Sequence, residues 1–425
     1  MTNASNPRHG SPRPTDADPA RAADVRLIAL VGLVHGLSHF SQLLLAPLFP
    51  WLKDAFRVGY VELGGVLTVF YVVSCLVQGA SGFIVDRVGP RPVLFVGLGL
   101  LGAAAFAYAS AQDYRMLVGG AVIAGIGNGV FHPVDYTLLN RKVAAARLGH
   151  AYSVHGITGS LGWALAPAFV VPLAIAFSWR IAVAAAGVLA LLVLLLLWLD
   201  RRSLELDAKA VRIETGQDPA EMQDVEGTFD FLRIPAVWMC FGFFFFYAMT
   251  ISIVQTFAPV AAGHLHDVPM ALVATCLTVY MVVSAGGMVL GGFLVSDPTR
   301  CERIVGAGFG CAALIALTVA MADLPALLVP MLFGAMGFAV GIAGPSRDLL
   351  VKRSTPPNSS GRVYGIVYGG LDIGQAAAPL LFGGLMDRGS FRSVLLGLAL
   401  IQAVLVINAF NVGRLRRTRL VPLTS

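Results

Sequence analysis

The sequence predicts an all-α polytopic membrane protein, with twelve transmembrane helices arranged as two six-helix repeats. Of the 425 residues, 57% are hydrophobic and 13% are charged, and the mean hydropathy of +0.76 lies far outside the range of soluble domains. A helix needs roughly 20 apolar residues to cross the hydrocarbon core. About twelve such spans can be placed, centred near residues 38, 72, 100, 128, 160, 188, 248, 280, 310, 337, 373 and 402.

An internal repeat divides these spans into two bundles. Hydrophobicity collapses between residues 201 and 233, so this segment is predicted to link bundles at residues 25–200 and 234–415. Shifting the chain against itself by 212 residues aligns residues 149–167 with 361–379 and matches six of the nineteen positions, including Gly149 with Gly361, Tyr152 with Tyr364, Gly162 with Gly374, and Pro167 with Pro379. The two bundles are therefore predicted to be repeats with the same membrane orientation.

The distribution of basic residues predicts the topology. Of the 30 Lys and Arg residues, 23 lie in the tails and the even-numbered loops, six lie on the opposite side, and Arg347 falls inside a span. The positive-inside rule places both termini in the cytoplasm, so the chain is expected in the cell (inner) membrane. Residues 1–24 are polar and lack a signal-peptide pattern, and they are predicted to form a disordered tail, with a second tail at residues 416–425.

Several function classes are disfavoured by missing motifs. The sequence contains no His-Glu-x-x-His, no Gly-x-Ser-x-Gly and no Cys-x-x-Cys, so we expect neither an enzyme nor a cofactor. Basic residues form no patch for a nucleic acid. The sequence also lacks a phosphate-binding loop, so ATP is not expected as the energy source. The expected partners are a small-molecule substrate, protons and the lipid bilayer, and the chain is expected to work as a monomer. A non-transporting sensor stays open, although the short linker leaves no room for a large output domain.

The loop after the second span carries a recognisable motif. The sequence GFIVDRVGPRPVL at residues 82–94 resembles the loop signature of the major facilitator superfamily at five positions: Gly82, Asp86, Arg87, Gly89 and Arg91. The resemblance implies a substrate site between the two halves, with access that alternates as the halves rock. The arginines of this loop would then pair with carboxylates when the cytoplasmic side is closed.

Other segments resemble one branch of that superfamily. LLLAPLFPWLKDAF (43–56), FHPVDY (131–136) and RLGHAYSVHGITGSLGWALAP (147–167) are similar to the fosmidomycin-resistance branch of drug exporters, which implies efflux of a drug or metabolite. Ala121 stands where the fourth-span signature has arginine, and Ala166 replaces the second glycine of the fifth-span exporter signature. These two signatures therefore do not carry a proton-antiport mechanism over to this chain.

Polar residues inside the spans are candidates for function, because charged and polar side chains in the bilayer are costly. His35, His39 and Gln42 share one face of the first helix at spacings of four and three residues, and Asn128, His132 and Asp135 repeat that spacing on the fourth. We expect these faces to line the cavity, although packing against neighbouring helices is the alternative. A metal site is disfavoured because neither an acidic residue nor a third ligand is spaced with the first-helix histidines.

The repeat suggests a partner for Asp135. The 212-residue offset maps it onto Arg347, so the two are predicted to form an ion pair between the halves. Asp135 precedes Arg141 by six residues, which places it about 9 Å from the cytoplasmic interface and favours a gate over a central binding site. Direct substrate contact and a structural pair with local partners are the alternatives.

The eleventh helix carries the best candidate for the proton. Asp372 lies near the middle of that span, where an ionised carboxylate is costly unless it pairs with a cation. Tyr364, Tyr368 and Gln375 share its face of the helix. A hydrogen bond to a neighbouring helix is the alternative role for Asp372. On the fifth helix, His155 can titrate near neutrality or act as a core histidine.

Three groups of site residues follow. The substrate cavity is predicted to contain His35, His39, Gln42, Asn128, His155, Gln255, Tyr368 and Gln375. Proton coupling is assigned to Asp372, Asp135 and His132. Gating is assigned to Asp86, Arg87, Arg91, Arg141, Asp135 and Arg347. Arg347 and the histidines favour a polar or anionic substrate, with efflux preferred and proton-coupled uptake of a small organic acid as the alternative.

Overall fold

The computed structural model describes residues 19–205, 235–294, 300–354 and 361–419. Within them the first half contains eight α-helices: α1 (Pro19–Gln42), α2 (Phe49–Phe56), α3 (Tyr60–Val88), α4 (Pro90–Ser110), α5 (Tyr114–Asn128), α6 (Phe131–Lys142), α7 (Ala145–Ala176) and α8 (Trp179–Leu199). The second half contains seven: α9 (Pro235–Thr256), α10 (Ala258–Leu265), α11 (Met270–Leu294), α12 (Cys301–Met321), α13 (Leu328–Ser354), α14 (Gly361–Asp387) and α15 (Phe391–Arg419).

The predicted fold class is confirmed. The described residues contain no strand, and eleven of their helical segments are long and apolar enough to cross a membrane. Every predicted span centre falls on a helical segment. The centre near residue 373, the eleventh along the chain, falls within the 27-residue helix α14, which is not among those eleven segments. We call the end of the bundle where α1 begins the tail face, and the opposite end, where α3 begins, the far face.

The fourth predicted span is broken in two. α5 ends at Asn128, residues 129 and 130 form a turn, and α6 begins at Phe131. Pro133 explains the break, because it lacks the N–H that would bond the carbonyl of Gly129 and its ring crowds that carbonyl. The repeat-related Pro345 lies inside the unbroken α13, so the break belongs to the first half and directly precedes His132 and Asp135.

A sharp turn joins α3 to α4. Gly89 has a φ of 85°, a conformation that residues with a Cβ rarely adopt, and Pro90 supplies the first residue of α4. This geometry gives a physical reason for the glycine in the motif at residues 82–94.

The crossing of α1 and α7 brings the polar stripe of α1 against the fifth predicted span. Gly36 and Gly162 meet backbone to backbone, so that a Cβ on Gly162 would collide with the carbonyl of Gly36. Small residues at such crossings let membrane helices approach closely. The contact places His35 and His39 beside Gly159 of α7.

The halves meet along two seams that the repeat relates. In the first, α3 packs against α14: the Thr68 hydroxyl donates to the Ala376 carbonyl at 2.7 Å, and a Cβ on Gly64 would lie 2.9 Å from the Pro379 carbonyl oxygen. In the second, α7 packs against α11, and the Thr278 hydroxyl lies 3.4 Å from the Ala164 carbonyl. Each seam joins a helix of the first half to a helix of the second, so these two helices move relative to each other if the halves rock.

Helices extend into both predicted tails. α1 begins at Pro19, inside the predicted tail of residues 1–24, and α15 continues to Arg419. Asp24 is 7% exposed, accepts a bond from the Ala144 amide and lies 2.6 Å from the Arg147 guanidinium, so it fastens α1 to the start of α7. Residues 1–18, 206–234 and 420–425 lie outside the described residues, and the predicted domain boundaries stay predictions.

Candidate functional site

Five titratable side chains of the first half converge inside the bundle. We call this group the histidine cluster, and it consists of His35, His39, His132, Asp135 and His155. α1 contributes two histidines at i and i+4, α6 contributes His132 and Asp135 directly after the helix break, and α7 contributes His155. The break and the glycine crossing of α1 and α7 therefore position the cluster.

Asp135 holds two of the histidines. Its side chain is fully buried, and its Oδ2 accepts hydrogen bonds from Nδ1 of His35 at 3.1 Å and Nε2 of His155 at 3.2 Å. The other oxygen, Oδ1, has no hydrogen-bond partner among the described residues. A buried carboxylate needs such donors, because leaving it unsatisfied in a membrane protein is costly.

The imidazole rings are closely packed. The rings of His35 and His155 stack with their centroids 3.4 Å apart, and the centroid of His35 lies 4.4 Å from that of His39 and 5.2 Å from that of His132. Trp163 covers His39 at 4.3 Å. His132 is half-buried, so one member of the cluster reaches an accessible surface.

His39 is the exception to the bonding pattern. It is 9% exposed, and neither of its ring nitrogens has a hydrogen-bond partner among the described residues. Gly159 provides the space in front of it: a Cβ there would lie 3.0 Å from Nδ1 of His39 and 3.0 Å from Nε2 of His35. These two nitrogens therefore border the same space.

A neutral network lies next to the histidine cluster. The Asn128 Oδ1 accepts bonds from Ser38 at 2.9 Å and Gln42 at 3.2 Å, and its amide donates to Ser74 at 2.8 Å. Trp163 donates to the Gln42 Oε1 at 3.1 Å. Asn128 and Gln42 were predicted to face the cavity, but here their polar groups satisfy one another and join α1, α3, α5 and α7.

The predicted ion pair between Asp135 and Arg347 does not form in this structure. Asp135 bonds histidines of its own half, and the Arg347 guanidinium lies over the ring of Tyr247, 4.0 Å from the ring centroid. The physical reason is the direction of the side chain: α6 turns Asp135 toward α1 and α7, away from the second half. Equivalence under the repeat relates positions along the chain and does not require the side chains to meet.

Asp372 lies on the seam between the halves. It is half-buried on α14, and the amide of Gln78 on α3 lies 3.5 Å from its Oδ2. The thiol of Cys75, one turn earlier on α3, also contacts it. A carboxylate of the second half is therefore contacted by two polar side chains of the first.

The remaining predicted cavity residues lie apart from the cluster. Gln255 lines a small cavity at the far face, which the repeat-related Pro47 and Pro259 also line. Gln375 is buried, and its Oε1 has no partner among the described residues. The side chain of Tyr368 lies outside the described residues.

The predicted gating arginines lie at the tail face. Arg87 and Arg141 are exposed, and Arg91 pairs at 3.3 Å with Glu205, which directly follows the short 3-10 helix Arg201–Leu204 after α8. The side chain of Asp86 lies outside the described residues. Their role as a gate between the halves stays a prediction.

A closure of the far face was missed by sequence reasoning. Asp387 at the end of α14 accepts hydrogen bonds from the backbone amides of Tyr60 at 2.6 Å and Val61 at 2.9 Å, and Lys53 lies 4.0 Å away. We call this contact the Asp387 cap. The first amides of a helix have no partner within it and carry partial positive charge, so a carboxylate from the other half stabilises the start of α3.

Two sequence relatives are a drug-resistance protein and a probable transporter. Over 141 residues the chain is 25% identical to the fosmidomycin resistance protein of Escherichia coli (strain K12), a match that covers 33% of this chain and 34% of that protein. Over 365 residues it is 22% identical to a probable L-galactonate transporter of the same organism, covering 81% of this chain and 79% of that protein. The first match therefore spans only about a third of the relative, and the second extends through most of both chains.

Solved structures share the fold at low identity. A bacterial homologue of the human lysosomal transporter Spinster, in an inward-facing and occupied conformation, superposes with a TM-score of 0.73 at 14% identity and covers 94% of this chain and 98% of that one. The nucleoside transporter NupG gives a TM-score of 0.70 at 13% identity, covering 92% of this chain and 99% of that one. The family description of the Major Facilitator Superfamily matches residues 31–346 and 302–422. The twofold bundle, the seams and these matches together show that the chain belongs to the Major Facilitator Superfamily.

Proposed function

We propose that this secondary transporter moves a small polar or anionic organic molecule across the cell (inner) membrane by alternating access, coupled to protons, with efflux as the preferred direction. Both termini lie in the cytoplasm in this proposal, so the tail face is cytoplasmic. The basic residues of the tail-face loops support that orientation under the positive-inside rule.

The Asp387 cap supports a state that is closed at the far face. It joins the two halves through two hydrogen bonds and an ion pair with Lys53, so it can break and re-form without rearranging the helices. The structural similarity to an inward-facing transporter agrees with this assignment. Opening the far face then requires the halves to rock about the two seams, which releases α3 from Asp387.

Asp372 is the proposed proton carrier, and its position on the seam carries the proposal. The Oδ2 of this carboxyl group lies 3.5 Å from the Gln78 amide of the opposite half, so rocking of the halves changes its surroundings directly. Apolar surroundings favour the protonated form of a carboxyl group, and contact with water favours the ionised form. Coupling needs this link between charge and conformation.

An anionic or polar substrate is supported by Arg347 and by the relatives. Arg347 is half-buried on the tenth span and places a cation inside the second half. A match over most of the chain to a probable L-galactonate transporter favours a second candidate, uptake of a small organic acid. The partial match to a fosmidomycin resistance protein favours efflux.

The proposal can be tested in proteoliposomes with an imposed pH gradient. The purified full chain is reconstituted, and flux is measured for a panel of organic acids, phosphonates and lipophilic cations. We expect accumulation of at least one anionic solute that a protonophore abolishes. Asp372→Asn should abolish gradient-driven accumulation, while Asp323→Asn, at an exposed far-face position, should leave it unchanged.

Two results would count against the proposal. Full gradient-driven flux in Asp372→Asn would remove this residue from the coupling. Flux that is identical with and without the pH gradient would replace proton coupling by facilitated diffusion.

A further inference from the structure

The histidine cluster has the composition and spacing of a metal site. The ligand atoms of His35, His39 and His132 all lie within 4.8 Å of one another. Imidazole is a preferred ligand of Zn²⁺, Ni²⁺ and Cu²⁺. We propose that these three histidines bind one divalent transition-metal ion, with Asp135 orienting His35 from behind.

The hydrogen bonds of His35 leave the correct nitrogen for the ion. Its Nδ1 donates to Asp135, so in the neutral ring Nε2 carries the lone pair that a metal requires. Histidine ligands commonly donate their other nitrogen to a carboxylate, which fixes the tautomer and strengthens the ligand. Asp135 therefore acts on the ion through His35.

The space in front of Gly159 is where we place the ion. Nε2 of His35 and Nδ1 of His39 both border this space. His39 has no hydrogen-bond partner among the described residues, although a buried polar group usually has one. A metal ion satisfies this nitrogen directly. The missing side chain of Gly159 leaves room for the ion.

The distances require a small adjustment. Zn–N bonds of 2.0–2.1 Å in a tetrahedral site separate the nitrogens by about 3.4 Å, so atoms up to 4.8 Å apart must close by at most about 1.4 Å. Rotation of His132 supplies part of this movement. Its ring is half-buried, and its centroid lies 5.2 Å from that of His35, so the ring has room to turn. Three imidazoles leave a fourth position for water or an anionic group.

A second group of donors shares His35 and includes Asp135 and His155. Those atoms already satisfy one another as hydrogen bonds, and a metal there would replace existing contacts. The three-imidazole group instead uses His39, whose nitrogens are unsatisfied. The choice between the groups is therefore decided by His39.

The test measures binding to the purified full chain, freed of any polyhistidine tag, in detergent at neutral pH. Titration with Zn²⁺ gives the stoichiometry and affinity, and Co²⁺ serves as a spectroscopic probe because its visible absorption is strong only in tetrahedral sites. We expect one high-affinity ion per chain with an intense Co²⁺ band. His39→Gln should weaken binding by at least about tenfold, and it breaks no hydrogen bond among the described residues.

Two further variants complete the design. Gly159→Ala should also weaken binding, because its methyl group would fill the space between the two nitrogens. His150→Gln removes an exposed histidine of α7 and should bind as the wild type does. Thermal unfolding of each variant establishes that it is folded.

Equal affinity and stoichiometry in the wild type and folded His39→Gln would overturn the proposal. Loss of binding in His150→Gln alone would likewise overturn it by assigning the ion to the surface. Loss of the intense Co²⁺ band in folded His39→Gln, with His150→Gln unaffected, would support it. Binding is measured without transport, so this result and that of the flux experiment are independent.

Discussion

Asp387 of the second half caps the first turn of α3 in the first half, with its Oδ1 2.6 Å from the Tyr60 amide and its Oδ2 2.9 Å from the Val61 amide. The repeat offset places Ile175 at the matching point of the other seam, and isoleucine has no side-chain acceptor. The closure of the far face is therefore asymmetric, and α3 is the helix whose start depends on the opposite half.

Removing the cap should open the far face. Loss of a capping side chain costs about 0.5–2 kcal/mol, so Asp387→Ala should raise the far-face-open fraction by about fivefold. Spin labels at the exposed positions Gln112 and Arg388 report the distance between the halves. Asp113→Ala is the matched control, because Asp113 caps α5 within one half. A short distance retained in Asp387→Ala, or equal opening in the control, would contradict the role of the cap.

A second route to the same state is steric. A Cβ on Gly59 would lie 2.7 Å from the Asp387 Oδ2, closer than side chains tolerate. Gly59 has a φ of −87°, which alanine adopts without strain. Gly59→Ala therefore adds only a steric contact with Asp387. We expect the same lengthening between the labels. Gly119→Ala, where no atom lies within 4 Å of the new methyl group, should leave the distance unchanged, and an unaltered distance in Gly59→Ala would refute the prediction.

The break between α5 and α6 should depend on Pro133. Pro133→Ala restores an N–H that can bond the Gly129 carbonyl, and a proline inside a helix costs about 3 kcal/mol. Hydrogen exchange of the amides around residues 129–135 should slow, and transport should fall because His132 and Asp135 shift. Pro345→Ala, in the unbroken α13, should leave hydrogen exchange around the break at the wild-type rate. Unchanged exchange in Pro133→Ala would assign the break to another cause.

Asp135 should contribute to stability through the two histidines. An asparagine keeps an oxygen for both histidines but loses the charge that strengthens the two hydrogen bonds. Its NH₂ group takes the place of Oδ1, which has no partner among the described residues, so a buried donor is left unsatisfied at about 1–3 kcal/mol. Asp135→Asn should therefore lower the melting temperature, as measured by thermal unfolding in detergent. Asp323→Asn at the exposed far-face position is the control. Equal melting temperatures for the wild type and Asp135→Asn would show that the two hydrogen bonds contribute little.

The fold could be predicted because its determinants are local and repeated. Hydropathy located the spans, and the offset of 212 residues related Pro167 to Pro379 and paired the seams. The family and its transporter relatives also confirm that the chain is not an enzyme. Helical spacing correctly placed His35 with His39, and His132 with Asp135, on shared faces. These features depend on residues that are near one another in sequence.

The contacts between faces could not be predicted in the same way. The third ligand of the proposed metal site is His132, on a helix about 100 residues from His35, and only the crossing of α1, α6 and α7 brings them together. Asp387 belongs to no motif. A signal was available, because the paired seams place the end of α14 beside the start of α3, where unpaired amides attract a carboxylate.

The most direct measurement of the central claim is proton movement driven by a solute. Proteoliposomes carry a trapped pH-sensitive dye and receive a gradient of a transported solute with no initial pH gradient. We predict that the wild type moves protons as the solute moves, and that Asp372→Asn exchanges the solute across the membrane without moving protons. Proton movement at the wild-type rate in Asp372→Asn, or none in the wild type while the solute crosses, would contradict coupling through Asp372.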